Sequence, residues 1–297
     1  MRSSSSPEMT IYELLKQAKD LLSDYHYREA EPLLRQVITC APRTVNAWAW
    51  LGDSLDGQKQ YWGAIQCYER ALTLNPEQAW VWNNKGTTLL ALQQYEHALI
   101  AFDQAIALDS GYASPLNGKG IAFRGLYRFA EALAAFDQAL TMNPWYINPL
   151  IGIGNTLEDL GWFHEALAAF EQAIDAAPAS GTAWNGKGNT LIKLQRYQEA
   201  LQAFEHVLTM YPTYANCWNG KGTALWRLQH YEEALAAFEQ SLTLHPNNAQ
   251  ALRNKALVLQ KLGRIPEANY TMAISQQASP PGAAAGIVDY RFAPSKP

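Results

Sequence analysis

The residues of this sequence that could do chemistry are glycines and lysines that recur in short runs. WNGKG stands at Trp184–Gly188 and again at Trp218–Gly222, and the related runs WNNKG and LNGKG end at Gly86 and Gly120. Bare backbone N–H groups and a lysine ammonium are the groups that hold a phosphate, so these runs suggest nucleotide binding. A phosphate loop follows a strand and begins a helix at its glycines, and this context decides the question.

The glycines recur with a fixed period of 34 residues. The last glycine of each run belongs to a column made of Gly52, Gly86, Gly120, Gly154, Gly188 and Gly222. Large apolar residues form a second column, made of Leu34, Tyr68, Phe102, Phe136, Phe170, Phe204, Phe238 and Met272. A third column, Pro42, Pro76, Pro144, Pro178, Pro212 and Pro246, closes the repeats. The period predicts eight repeats that begin near residues 11, 45, 79, 113, 147, 181, 215 and 249.

Within one repeat, the apolar and small residues have helical spacing. In the sixth repeat Trp184, Gly188 and Leu191 recur at three- and four-residue steps, which is the spacing of one helical face. Tyr197 and Phe204 lie in a second helix of the same kind, and the proline after it ends that helix because proline lacks an N–H donor. The glycine–lysine runs therefore lie in mid-helix, which argues against a phosphate loop.

A second glycine in these runs, at Gly118, Gly152, Gly186 and Gly220, is not explained by the packing column. Each mid-helix glycine costs up to ~1 kcal/mol relative to alanine. Two interpretations stay open. The glycines belong to a tighter superhelical curvature or a weakly constrained surface, or they leave room for the backbone of a bound segment.

The repeat resembles the tetratricopeptide repeat, whose signature positions are occupied in the sixth repeat by Trp184, Gly188, Leu191, Tyr197, Ala200, Phe204 and Pro212. The resemblance implies an all-α, right-handed superhelical solenoid of about eight helix-turn-helix repeats, with a concave groove lined mainly by the first helices. We expect a flexible N-terminus over residues 1–10 and the array over 11–276. A Pro/Gly/Ala linker and a short apolar tail should follow over 277–297.

The resemblance also implies which side chains face the groove, since the second, fifth, ninth, twelfth and thirteenth places of a repeat tend to line it. The expected partner-binding residues are Trp80, Asn83, Asn117, Asn155, Asn185, Asn189, Lys193, Asn219, Trp226, Arg227 and Arg253. Asparagine amides offer donors and acceptors to the main chain of an extended peptide, and tryptophans offer apolar anchors. Packing against the adjacent repeat is an equally open interpretation of Trp80 and Trp226.

Charges on the expected groove are segregated. Asp53 and Asp56 lie in the second repeat, whereas Lys193, Arg227 and Arg253 lie toward the C-terminus. This distribution would orient a ligand of mixed charge, and a solvated face without a ligand is the alternative. The tryptophan column Trp48, Trp82, Trp184 and Trp218 is predicted to be core. Lysines stand where the family usually has leucine, and we expect their alkyl stems to cover apolar surface.

Composition makes several classes of function improbable. The chain has 23 basic and 27 acidic residues and no basic block, so nucleic acid is not an expected partner. The cysteines, Cys40, Cys67 and Cys217, form no CxxC pair, which favours reduced thiols and a cytoplasmic location. No apolar run approaches the roughly 18 residues of a membrane span. The histidines lack metal-ligand spacing and no catalytic set can be assembled, so we expect no metal, cofactor or enzymatic activity.

These observations predict a non-enzymatic scaffold or adaptor that binds a segment of a partner protein in the concave groove. The alternative is a structural or regulatory subunit of a larger assembly, contacted through the convex face and the C-terminal tail. In that tail Ile287, Val288, Tyr290 and Phe292 form an apolar cluster. We expect the cluster either to cap the last repeat or to dock elsewhere.

Overall fold

A computed structural model describes residues 10–278 of the chain, and this part contains sixteen α-helices and no strand. The first helices of the repeats are α1 (Ile11–Ser23), α3 (Val45–Gly57), α5 (Ala79–Ala91), α7 (Ala113–Gly125), α9 (Ile147–Asp159), α11 (Gly181–Lys193), α13 (Ala215–Arg227) and α15 (Ala249–Lys261). The second helices are α2 (Tyr27–Cys40), α4 (Tyr61–Leu74), α6 (Tyr95–Leu108), α8 (Phe129–Met142), α10 (Phe163–Ala176), α12 (Tyr197–Met210), α14 (Tyr231–Leu244) and α16 (Ile265–Ala278). The predicted all-α array of eight helix-turn-helix repeats is confirmed.

The chain divides into two compact halves, Met1–Pro144 and Trp145–Pro297, and the described part of each half holds four repeats. Within a half, the two helices of a repeat pack against each other, and the second helix packs against the first helix of the next repeat. Both halves therefore use the same two contacts, one within a repeat and one between repeats. The apolar cluster predicted in the tail lies outside the described residues.

A phenylalanine ring in the large apolar column is enclosed by two glycines, an arrangement that we call the ring clamp. A Cβ atom built on Gly154, in the same repeat, would lie 2.8 Å from Cε1 of Phe170. A Cβ built on Gly186, in the next repeat, would lie 2.3 Å from the same atom. The arrangement recurs at Phe102, between Gly86 and Gly118, and at Phe204, between Gly188 and Gly220. All three rings are fully buried.

The ring clamp explains the second glycine of the runs. Gly118, Gly186 and Gly220 are buried against a ring of the preceding repeat, so they are neither surface positions nor openings for a ligand. The interpretation that they leave room for a bound backbone is wrong, because the aromatic ring already fills that space. Burial of a ring stabilises by about 1.5–3 kcal/mol, which offsets the ~1 kcal/mol that a helical glycine costs.

The tryptophan column ties each of its repeats to the proline that closes the preceding one. Trp184 donates a hydrogen bond from Nε1 to the carbonyl oxygen of Pro178 at 2.9 Å. The equivalent bonds, at 2.8 to 2.9 Å, join Trp48 to Pro42, Trp82 to Pro76 and Trp218 to Pro212. These rings pack against the core but are only partly buried. The prediction that these rings belong to the core is therefore only partly correct. Each ring packs against the core, but its indole N–H binds the proline carbonyl between two repeats, where the ring is accessible to solvent.

Gly186→Ala should destabilise the protein, because the new methyl group would collide with the buried ring of Phe170. Overpacking costs about 1–3 kcal/mol and alanine regains ~1 kcal/mol of helix propensity, so we expect a net loss of up to about 2 kcal/mol. Urea unfolding followed by circular dichroism measures it. The double variant Gly186→Ala, Phe170→Leu should recover part of the loss.

Gly63→Ala is the matched control, since the nearest atom to its new Cβ is a leucine methyl group at 3.3 Å. We expect it to leave the protein at least as stable as wild type, with a gain of up to ~1 kcal/mol from helix propensity. Equal losses at positions 63 and 186 would contradict the ring clamp.

Candidate functional site

The first helices of the N-terminal half line a cleft of about 420 Å³. Lys19 of α1, Asp53 of α3 and Thr87 of α5 occupy the ninth place of three successive repeats, and all three line this cleft. We call the side chains at the second, fifth, ninth, twelfth and thirteenth places the first-helix surface. Trp50 and Asp56 of α3 also line the cleft. The cleft therefore lies on the first-helix surface, although none of the expected partner-binding residues lines it.

Asp53 is the central polar group of the cleft. Its Oδ1 atom accepts a hydrogen bond from the hydroxyl of Tyr68 at 2.8 Å and another from Nδ2 of Asn84 at 2.9 Å. Burial raises the pKa of Asp53 to about 6, the two hydrogen bonds oppose that rise, and the neighbouring Asp56 carboxylate adds to it. Burial, followed by the charges of the two aspartates, also holds the pKa of Tyr68 well above its usual value. The cleft thus contains a carboxyl group that titrates near neutrality.

Asp53, Tyr68 and Asn84 form this polar cluster, and two of them replace residues of the ring clamp. The large apolar column holds Tyr68 here, and the place of the second glycine in the next repeat holds Asn84. The Tyr68 ring still packs on its own glycine, since a Cβ on Gly52 would lie 2.5 Å from Cε1 of the ring. A buried hydroxyl needs a partner, and Asp53 supplies the acceptor. Sequence reasoning missed Tyr68 and Asn84 as members of one site, although both depart from their columns.

Three of the fifth-place asparagines lie inside the protein. Asn83, Asn117 and Asn185 are 6%, 8% and 8% exposed. Oδ1 of Asn185 accepts a hydrogen bond from Sγ of Cys217 at 3.3 Å, which joins α11 to α13. The Oδ1 atoms of Asn83 and Asn117 are buried without a hydrogen-bond partner among residues 10–278. These three amides are therefore buried, and little of their surface is available to a partner.

The other expected asparagines, all of the C-terminal half, are more accessible. Asn155, Asn189 and Asn219 are half-buried, and Oδ1 of Asn219 accepts a hydrogen bond from Nδ2 of Asn254 at 3.2 Å. The basic side chains of this half that belong to the expected set, Lys193, Arg227 and Arg253, are exposed. The first-helix surface of this half therefore presents cations and amides.

Trp80 and Trp226 pack against the cores of their own halves and remain partly accessible. The indole N–H of Trp80 donates to Oε1 of Gln78 at 3.0 Å. The guanidinium of Arg227 lies 4.7 Å from the centre of the Trp226 ring. Packing was one of the two interpretations that the sequence left open for these residues. Contacts with the core thus account for the burial of much of both rings.

The lysines of the runs hold carboxylates of the preceding repeat. Nζ of Lys187 lies 2.8 Å from Oε1 of Glu171 and 5.4 Å from the centre of the Trp184 ring. The other pairs, at 2.6 to 2.9 Å, are Lys85–Glu69, Lys119–Asp103, Lys221–Glu205 and Lys255–Glu239. Each lysine therefore links a first helix to the second helix before it.

Other reactive groups in the described part of the chain are placed for packing. Burial raises the pKa of the Cys67 thiol to about 11 and that of Cys217 to about 12, so neither is a thiolate near neutrality. Between residues 10 and 278, no three or more His, Cys, Asp and Glu side chains are grouped to hold a metal ion. None of the helices in this range is long and apolar enough to cross a membrane.

Comparison with known proteins agrees with this architecture. Models of the tetratricopeptide repeat match residues 45–78, 67–99, 151–215 and 219–283, together more than half of the chain. No curated protein matches the chain significantly.

Two solved structures show the same fold at low identity. A chain of the APC/C hetero-tetramer Cut9–Hcn1 has a TM-score of 0.70 at 19% identity over 90% of this chain. The match spans only 53% of the Cut9–Hcn1 chain. A tetratricopeptide repeat protein from Parabacteroides merdae ATCC 43184 has a TM-score of 0.69 at 18% identity. That match covers 84% of this chain and 98% of the other. At these identities the likeness concerns the fold.

Asp53→Asn should change how stability depends on pH. The folded pKa of about 6 lies above the ordinary value of 3.8, so this group's contribution to stability is complete below about pH 4 and is lost as the pH rises through about 6. Asparagine keeps an oxygen for Tyr68 and Asn84 and carries no charge. We therefore expect the variant to gain stability relative to wild type above about pH 6.

Urea unfolding across this pH range measures the difference. Asp103→Asn serves as the control, because it removes an exposed carboxylate that is paired with Lys119. A stability difference between Asp53→Asn and wild type that stays constant from about pH 4 to about pH 7.5 would contradict the raised pKa.

Proposed function

Because the chain belongs to the tetratricopeptide repeat family, we propose that it is a non-enzymatic scaffold that binds a partner protein through its first-helix surface. The observation that carries the proposal is the cleft lined by Lys19, Asp53 and Thr87. Its volume of about 420 Å³ lies within the range of pockets that receive ligand groups, and its lining combines aromatic and polar side chains. Such a cleft can receive a side chain of a bound segment.

The remaining contacts of the proposed interface come from residues that the family resemblance implies. In the C-terminal half, Asn155, Asn189 and Asn219 would bind the main chain of an extended segment through their accessible edges. Lys193, Arg227 and Arg253 would attract its acidic side chains. Asn83, Asn117 and Asn185 would shape the floor, and the exposed edges of Trp80 and Trp226 would add apolar contact.

A second candidate function is that of a structural or regulatory subunit held in a larger assembly through the opposite side of the repeats. Trp62 on α4 is 62% exposed and Ile100 on α6 is 59% exposed, and both lie outside the first-helix surface. In this candidate function, these exposed apolar side chains would supply contacts to another protein. The tail that this candidate also invokes lies outside the described residues.

The proposal includes a cytoplasmic location and no nucleic-acid or membrane partner. It is supported by the three unpaired cysteines and by a net charge of -4. Free thiols are typical of reducing compartments, and an acidic chain does not attract phosphates.

The proposal is tested by reversing charge on the first-helix surface. Arg227→Glu with Arg253→Glu should reduce recovery of the bound protein about tenfold or more in affinity capture with quantitative mass spectrometry, since both side chains are exposed and contribute to the interface. Circular dichroism should be unchanged. Trp62→Ser, on a second helix, is the control and should leave recovery as it is in wild type. The reverse pattern, with loss only in Trp62→Ser, would support the second candidate and contradict the first.

A further inference from the structure

We propose that the cleft between α1, α3 and α5 receives a cationic side chain, the ammonium of a lysine or the guanidinium of an arginine. This inference rests on the proposed function, because the cation would belong to the segment bound on the first-helix surface. It goes further in naming the chemistry of that segment and the residues that select it.

The first support is a carboxylate that has no ion-pair partner among the described residues. Asp53 is half-buried, and both of its hydrogen bonds come from neutral donors, the Tyr68 hydroxyl and the Asn84 amide. Among residues 10–278, Asp53 forms no ion pair, and Lys19 on the lining of the cleft is exposed and forms none either. A desolvated carboxylate is costly without a counter-charge. A cation entering the cleft would supply it.

The second support is the wall of the cleft. Trp50 and Tyr27 both line it, so an ammonium or guanidinium beside Asp53 would also lie near aromatic rings. A cation within about 6 Å of an aromatic ring gains roughly 0.5–2 kcal/mol, more when water is excluded. Asp56, held by the hydroxyl of Thr88 at 2.7 Å, places a second carboxylate in the same lining. The two carboxylates and the two aromatic rings together favour a cation over an anion or a purely apolar group.

The third support is that the chain binds its own lysines with the same pair of groups. The Lys187 ammonium lies between the Glu171 carboxylate and the Trp184 ring, at 2.8 Å and 5.4 Å. The cleft offers an aspartate and a tryptophan, Asp53 and Trp50, without a lysine paired to that aspartate. A cationic side chain from another protein would complete in the cleft the group of cation, carboxylate and aromatic ring that Lys187, Glu171 and Trp184 form within the chain.

Binding should also depend on pH, because protonation of Asp53 removes the charge that attracts the cation. The titratable groups around it are Asp56 on its own helix, Lys19 on α1, Tyr27 on α2 and Tyr68 on α4. The pKa of Asp53 is raised to about 6, mainly by burial. The affinity for a cation should therefore fall as the pH is lowered through about 6.

The test uses three fluorescein-labelled peptides in which glycine alternates with lysine, with arginine or with glutamate, and it measures fluorescence anisotropy with the full chain. We expect the lysine peptide, the arginine peptide or both to bind, and the glutamate peptide not to compete with them. Preference for one cationic peptide would identify ammonium or guanidinium. Acetylation of the lysine peptide should abolish its binding, and this ligand-side control does not depend on the folding of a variant.

Asp53→Asn should weaken binding of the cationic peptides about tenfold and remove the decline below about pH 6, because it keeps the oxygen that Tyr68 and Asn84 bind but loses the charge. Asp103→Asn, with the same change in net charge at an exposed site, should bind as wild type does. Equal affinity of wild type and Asp53→Asn, or binding of neither cationic peptide to wild type, would overturn the inference.

Failure of the inference can be told apart from failure of the proposed function. If Arg227→Glu with Arg253→Glu loses the captured protein while Asp53→Asn binds cationic peptides normally, the surface binds a partner but the cleft does not select a cation. If capture is insensitive to first-helix variants while Asp53→Asn loses the peptides, the cation site is real and the scaffold proposal fails.

Discussion

The fold depends on a buried aromatic ring that needs a glycine on each of two first helices. Phe170 touches the backbone of Gly154 in its own repeat and of Gly186 in the next, so one ring brings together a hairpin and its neighbour. No side chain larger than hydrogen fits at either glycine without moving the ring. Around Phe102, Phe170 and Phe204 the packing of one repeat therefore includes a glycine that its neighbour supplies, which is the nearest-neighbour dependence expected of repeat proteins.

The same constraint explains where a polar site could arise. At Tyr68 the ring carries a hydroxyl, and a buried hydroxyl requires an acceptor on the adjoining helices. Asp53 meets that requirement at the cost of desolvating a carboxylate, and Asn84 replaces the second glycine with a donor to the same oxygen. The departure at Tyr68 thus coincides with two polar side chains that bind its hydroxyl or share its acceptor. The cleft that these groups line lies within the regular array.

The repeats could be predicted well from the sequence because each repeat carries the same pattern. Helix type, repeat number and the columns of small and large residues are therefore each supported by several copies. The sequence predicted contacts between repeats poorly. The role of Gly186 depends on a ring sixteen residues earlier, and the bond from Thr88 to Asp56 spans 32 residues. The aligned repeats show which residues occupy equivalent positions. They do not show which residue of the next repeat each of them contacts. The burial of Asn83 and Asn185 was missed for the same reason.

Ion pairing distinguishes the structural ions of this protein from Asp53, the carboxylate that we propose binds a ligand. The lysines of the glycine runs suggest phosphate binding when read alone, yet Lys187 already has a carboxylate and a ring, and a phosphate would have to displace both. Among the described residues, Asp53 accepts hydrogen bonds from neutral donors only, and burial raises its pKa to about 6. Residues of the types that bind phosphate can thus have all of their partners within the fold. A residue that no motif marks can instead lie half-buried without an ion-pair partner in the described part of the chain, and the proposed recognition site is built on such a residue, Asp53.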